Sequence, residues 1–177
     1  MWNIDPSTLG DPLTQKTQWT PLVGGGSGGR TWTLHNHPRG LEYRRSANMA
    51  VVGGCFLAAG LMTLPLALAT WWMLGLSLPF LLVSAFFLQP KTMLFDRTQN
   101  RATLRGRVIP FADILAVQLL GEDVHGDSVF RSYEVNLVLN DGSRVNVVDH
   151  GDLVAVRDDV VRLQELIGCR AWDVTAR

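Results

Sequence analysis

From Ser46 to Pro90 the chain runs for 45 consecutive residues without an Asp, Glu, Lys, Arg or His. A membrane-spanning helix needs about 20 apolar residues, rising 1.5 Å each, to cross roughly 30 Å of hydrocarbon. The run SANMAVVGGCFLAAGLMTLPLALATWWMLGLSLPFLLVSAFFLQP therefore holds two short spans and a tight turn. The spans are expected near 48–68 and 73–89. The turn is expected around Thr70, Trp71 and Trp72, because paired Trp favours the membrane–water interface and Gly75 comes soon after. Pro65 and Pro79 are expected to kink the helices rather than end them. A soluble helical pair would carry a polar stripe at helical period, and none is present. A cleaved signal peptide would lie at the N-terminus and be shorter. Gly53, Gly54, Ala58, Ala59 and Gly60 form a small-residue patch where the second helix can approach closely.

All charge lies in the two flanks. Sixteen basic and sixteen acidic residues give formal neutrality, which argues against a dedicated nucleic-acid binder. That neutrality joins unlike parts. Residues 30–45 carry Arg30, Arg39, Arg44 and Arg45 against Glu42, and residues 91–107 carry Lys91, Arg97, Arg101, Arg105 and Arg107 against Asp96. Residues 108–177 are net acidic. Lys and Arg beside spans are retained in the cytoplasm. The expected location is thus the bacterial inner membrane, multi-pass, with both termini cytoplasmic. Cys55 and Cys169 show neither disulfide nor metal-ligand spacing and read as inert.

After the uncharged run the pattern becomes strand-like. Met93–Arg97 and Arg101–Arg107 flank the turn Thr98-Gln99-Asn100, and Ile114–Leu120 comes after the breaker Pro110. Gly121–Ser128 reads as a loop. Ser132–Asn140 alternates, with Tyr133, Val135, Leu137 and Leu139 on one face and Glu134, Asn136 and Asn140 on the other. Asp141-Gly142 is a strong hairpin signal leading into Arg144–Val148. Asp152 as N-cap and Gly168 at the C-terminal end bracket a helix whose apolar stripe is Leu153, Val156, Val160, Leu163 and Ile167. Asp158-Asp159 reads as its solvated side. Before the run, Thr31–Asn36 and Leu41–Arg45 are expected to form two short strands that join this domain. Residues 1–29, with three Pro and six Gly, are expected to be poorly ordered. The expected fold class is α+β: a transmembrane helical hairpin over 46–90 plus, over 91–177, a small antiparallel sheet or open barrel capped by a C-terminal helix.

Phe95-Asp96-Arg97 directly after a span, Ile109-Pro110 before Asp113-Ile114, the Tyr133–Leu139 strand, Asp141-Gly142 and the final amphipathic helix together resemble bacterial two-span membrane proteins with a pleckstrin-homology-like cytoplasmic domain. The resemblance covers about half of the chain. It implies a roll closed by a C-terminal helix and a binding or scaffolding role.

Two motifs mimic active sites. Gly24 to Thr31 matches the phosphate-loop pattern with Arg30 in place of Lys, but that mechanism needs a strand before and a helix after. Here Pro21 precedes the loop and a β-like stretch comes after it, so the segment reads as a flexible linker. His35-Asn36-His37 places two histidines on one strand face without further ligands nearby. No catalytic set, metal or cofactor is expected, so the protein reads as non-enzymatic. Arg101, Thr103, Arg105 and Arg107 are expected to share one strand face. With Lys91 and Arg97 they form the candidate site for anionic lipid headgroups, each cation contributing roughly 1 kcal/mol at such a surface. Glu134, Asn136, Val138 and Asn140 form the candidate surface for an unidentified protein partner. Membrane lipids and that protein are the expected partners, in a scaffold or adaptor role. The alternative is a membrane-resident immunity protein that neutralises a toxin acting at the inner membrane.

Overall fold

The computed structural model describes residues 9–70, 74–88, 93–125 and 129–175. The chain divides into two compact units, one built from residues 1–44 and 92–177 and the other from 45–91.

The first unit is α+β and discontinuous. Strands β1 (Trp32–His37) and β2 (Gly40–Arg45) precede the uncharged run. After it come β3 (Met93–Asp96), β4 (Arg101–Leu104) and β5 (Arg107–Pro110), completing a five-stranded sheet in sequential order. The two halves join where Leu41 pairs with Phe95 and Tyr43 with Met93, antiparallel. Leu41, Tyr43, Met93, Phe95, Ala102, Leu104 and Ile109 all point into the core, as strand alternation requires.

A second sheet contains β6 (Ile114–His125), β7 (Val129–Leu139), β8 (Arg144–His150) and β9 (Arg170–Asp173), in the order β8-β7-β6-β9. Its inner face, including Val117, Leu119, Val135, Leu137 and Val148, shares one hydrophobic core with the first sheet and with α3 (Leu153–Ile167). The Asp152 side chain caps α3 by accepting from the Val154 and Ala155 N–H groups, and Gly168 ends it at φ 76°. That left-handed value favours glycine.

Several expectations need correction. The stretch Gly121–His125 is strand, not loop, because β6 continues as a ribbon with β7 through Glu122 opposite Ser132 and Val124 opposite Phe130. Residues 126–128 lie outside the described residues. The expected single strand Arg101–Arg107 is a hairpin, reversed at Arg105-Gly106 with φ 50° and 88°. Of the stretch 1–29, expected to be poorly ordered, residues 1–8 lie outside the described residues, and residues 9–29 make specific contacts with the sheets. Residues 9–29 begin with a 3-10 turn at Pro12–Lys16 capped by Asp11, whose carboxylate also meets Trp172 Nε1 at 3.1 Å and Arg170 Nε at 3.0 Å. Trp19 packs on Trp172, ring centroids 5.7 Å apart, in a small apolar cluster with Leu9, Leu13, Ala116 and Val138.

The second unit contains α1 (Ala47–Ala69) and α2 (Leu74–Leu88), packed on each other. The turn expected at Trp71 and Trp72 lies outside the described residues. Close approach uses the small-residue patch selectively. A Cβ on Gly60 would come 2.6 Å from Leu81 Cδ2, and one on Gly53 would come 3.0 Å from Phe87 Cβ, whereas Gly54 faces open space. Phe56 stacks on Phe87. Pro65 and Pro79 lie inside their helices. Large apolar side chains point outward, among them Val51, Leu61, Met62, Leu78, Leu82 and Phe86, with Met62 78% exposed. Among the described residues one helix segment, Ala47–Pro65, is long and apolar enough to cross a membrane by length and composition.

Candidate functional site: the outer face of the second sheet

Alternation along β7 puts Glu134, Asn136 and Val138 on the face turned away from the core. There they sit opposite Leu120, Gln118 and Ala116 of β6 and Asp149, Asn146 and Arg144 of β8. Such a face of an antiparallel sheet is ordinarily solvated. Here it is covered. Glu134, Asn136 and Val138, expected as an open partner surface, are buried, Glu134 to 3% exposure, because the segment after the 3-10 turn crosses over them. Only Asn140 of that set stays exposed, donating through Nδ2 to the Ala112 carbonyl at 2.8 Å.

The covering segment is gripped by its main chain. The Leu22 N–H donates to both oxygens of the Glu134 carboxylate at 2.9 Å, and the Val23 N–H donates to Oε2 at 2.8 Å. Gln118 Nε2 donates to the Gln18 carbonyl at 3.1 Å and Arg144 Nη1 to the Thr20 carbonyl at 2.7 Å. The Gly25 N–H reaches Glu122 Oε1 at 3.3 Å. Hydrogen bonds to a carboxylate or guanidinium are roughly twice as strong as neutral ones. Glycine allows the contact to be this close. A Cβ on Gly26 would lie 2.2 Å from Ser132 Oγ, and one on Gly28 would lie 2.9 Å from the Phe130 ring. The run Gly24–Gly29 is therefore not a free linker. It leads into β1 rather than a helix, so the phosphate-loop geometry is absent.

The grip leaves charge and polarity unmatched. Burial and the neighbouring Glu134 push the Asp149 carboxyl up to about 6, against Asn146 and Arg105, with Glu122 adding to the rise. Ser132 Oγ and Asn136 Oδ1 are buried with no hydrogen-bond partner among the described residues. Asn136 Nδ2, in contrast, donates to Glu134 Oε1 at 2.5 Å.

The basic residues do not form one face. Register pairs Arg101 with Pro110 and Thr103 with Val108 on the outer side of β4–β5, while Arg107 lies opposite the core residue Leu104. Arg105 sits in the turn, donating to Asn146 Oδ1 at 3.4 Å. The two-residue reversal at Arg105-Gly106 is the physical reason. Arg97 is exposed at the β3–β4 turn, and Lys91 lies outside the described residues.

Beside that turn, a cleft of about 650 Å³ is lined by Asn36, Arg39, Arg97, Thr98, Arg162 and Glu165 among others. Most of its cations are engaged internally. Arg39 meets Asp96 at 3.4 Å, and Arg162 donates to Asn36 Oδ1 at 2.8 Å and to the Leu34 carbonyl at 3.3 Å. The Thr98 hydroxyl and the Gln99 N–H, with Arg39, hold the Asp96 carboxyl below its usual range.

Two buried groups escaped the sequence pattern. Asp159, expected on the solvated side of α3, is 2% exposed and lies against the fully buried Tyr43. Burial pushes its carboxyl up to about 6, opposed by Tyr43, Arg30 and Arg162. Tyr43 Oη and Asp159 Oδ2 have no fully formed hydrogen bond among the described residues. His150 is buried too. Its Nδ1 accepts from the Asp152 N–H at 3.0 Å, which fixes a neutral ring protonated on Nε2, and burial lowers its pKa. His37 Nδ1 likewise accepts a local N–H, that of Arg39, at 3.2 Å. Among the described residues no three His, Cys, Asp or Glu side chains converge as a metal site. Cys169 is half-buried, its thiol pushed up to about 11, and Cys55 is exposed on α1.

The class these features define is a mixed α+β protein: two sheets sharing a core with a capping helix, and a separate pair of apolar helices. No family model, no curated protein and no solved structure matches the chain.

Proposed function

We propose that this chain is a non-enzymatic, two-span integral protein of the bacterial inner membrane. In this reading both termini are cytoplasmic, and the β-rich unit is a pleckstrin-homology-like binding unit that engages a protein partner. The observation that carries the reading is the outward apolar surface of α1 and α2, from Val51 through Met62 to Phe86. Soluble monomers rarely expose apolar patches of more than a few hundred Å², whereas lipid matches such a surface. α2 has 15 residues, about 22 Å at 1.5 Å per residue. Local thinning of the bilayer and anchoring by flanking Trp and Arg accommodate a short span at modest cost. Arg45 supports such anchoring by donating to the Phe86 carbonyl at 3.1 Å and also to that of Phe87. Arg97 and Arg101 are both exposed and so are free to meet anionic headgroups in this reading.

Membrane fractionation followed by alkaline carbonate extraction tests the placement. The protein should stay in the pellet. A Thr70→Cys variant in a Cys55→Ala, Cys169→Ala background should react with an impermeant maleimide added to intact spheroplasts. Release by carbonate, or labelling only after permeabilisation, overturns the reading.

A further inference from the structure

We propose that the outer face of the β8-β7-β6-β9 sheet is a groove for a bent, glycine-containing, basic segment of a partner polypeptide, with residues 17–26 as its resident occupant. The inference names the partner class of the binding unit proposed above. It rests on that reading only in treating the unit as one that binds; membrane insertion is not required for it.

The first support is the mode of contact. The groove holds Leu22, Val23 and Gly25 by their N–H groups and Gln18 and Thr20 by their carbonyls. The N–H groups of Leu22 and Val23 converge on one carboxylate and Gly25 sits at φ 79°, as in a bent chain rather than a strand, so the groove reads the main chain of a bent segment more than its side chains.

The second is that the resident fits imperfectly. Residues 17–29 carry no charged side chain, yet they cover Glu134 and lie beside Asp149 and Glu122, which interact with one another. Among the described residues, the cations facing this cluster are Arg144, already bonded to the Thr20 carbonyl, and Arg105, which belongs to a turn. Ser132 Oγ and Asn136 Oδ1 are at least nine-tenths buried under the segment without partners among the described residues. A Lys or Arg side chain supplies both the missing positive charge and the missing donors.

The third is room. A Cβ at Gly24 would have Glu122 Oε1 at 4.0 Å as its nearest neighbour, whereas one at Gly26 collides with Ser132. Position 24 is therefore where a long basic side chain enters. The resident is tethered on both sides, by the Trp19–Trp172 contact and by the Gly151 N–H donating to the Gly29 carbonyl at 3.3 Å. Its middle can lift while its ends stay attached. Tethering gives it an effective concentration in the mM range, so a competitor must bind better in the groove itself.

The test uses the full chain in detergent and fluorescently labelled peptides, read by anisotropy. One peptide is TQWTPLVGGGSGG, residues 17–29; the other carries Gly24→Lys. A Trp19→Ala protein weakens the resident outside the backbone-gripping positions. It should bind the lysine peptide about tenfold more tightly than the unsubstituted one, the equivalent of roughly 1.4 kcal/mol. Adding Glu134→Gln should remove that binding while the unfolding midpoint stays measurable. Failure of both peptides to bind the Trp19→Ala protein overturns the proposal. So does equal affinity for the two peptides, or binding indifferent to Glu134→Gln. A protein that leaves the membrane in carbonate yet still binds the lysine peptide refutes the membrane reading alone.

Discussion

Val23 donates its backbone N–H to the Glu134 carboxylate at 2.8 Å, across 111 positions of sequence. Leu22 donates to the same carboxylate, so one side chain satisfies two consecutive main-chain donors of a segment without regular structure. Glu134→Gln halves the acceptors and turns an amide donor toward those N–H groups. Charge-assisted bonds of this kind are worth about 1.5–3 kcal/mol. The amides of Leu22 and Val23 should therefore exchange with deuterium at least tenfold faster in the variant, with those of the β7 core nearly unchanged.

Glycine substitutions separate close approach from flexibility. Gly26→Ala drives a methyl into Ser132, while Gly29→Ala meets nothing within 4 Å. Overpacking costs typically 1–3 kcal/mol. The first should lower the unfolding midpoint and the second leave it within error, as checked by thermal melts in detergent. Equal effects would mean that the Gly24–Gly29 stretch matters for its freedom rather than its fit.

Asp159 gives a pH signature. Its carboxyl titrates near 6 in the folded protein against an ordinary 3.8. The folded state therefore holds this proton more tightly than the unfolded state. The stability so contributed is complete below pH 3.8 and is lost as pH rises through about 6. His150, with its pKa lowered, acts in the opposite sense, and Asp149 in the same sense. Asp159→Asn isolates the one group. The difference in denaturation free energy between variant and parent should grow from near zero at pH 4 to about 1–2 kcal/mol in favour of the variant at pH 7.5. A flat difference across that range would contradict the assignment.

In the helical unit, Gly60 and Gly54 make a matched pair. Gly60→Ala pushes against Leu81, and Gly54→Ala faces open space. The first should destabilise the packed helices by about 1–3 kcal/mol. The second should be neutral or slightly stabilising, because Ala is the better helix former. Detergent-resistant melting of the two variants measures the contrast.

What the sequence disclosed was whatever repeats with a short period. The alternation from Tyr133 to Leu139, the Asp152 and Gly168 helix ends, and the charge-free run are all local signals, and each has its counterpart in the structure. Asp159 was readable as well, since it lies between Val156 and Val160 on the stripe, but its charge drew it to the wrong side. The turn at Arg105-Gly106 was hidden by an arginine at positive φ. β9 is four residues that become a strand only by pairing parallel with Ala116–Leu119. Residues 17–26 have no period at all. Their order comes from side chains a hundred or more positions away, so composition alone described them as loose.

That separation has a consequence for how the protein is made. Residues 17–26 leave the ribosome before Gln118, Glu134 and Arg144, which lie 100 to 124 positions later for the contacts described. At about 5–20 residues per second the covering segment waits on the order of 10 s for its seat. Through that interval its uncharged, glycine-rich sequence offers nascent neighbours little to hold, so the segment docks only after strands made more than a hundred residues later have emerged.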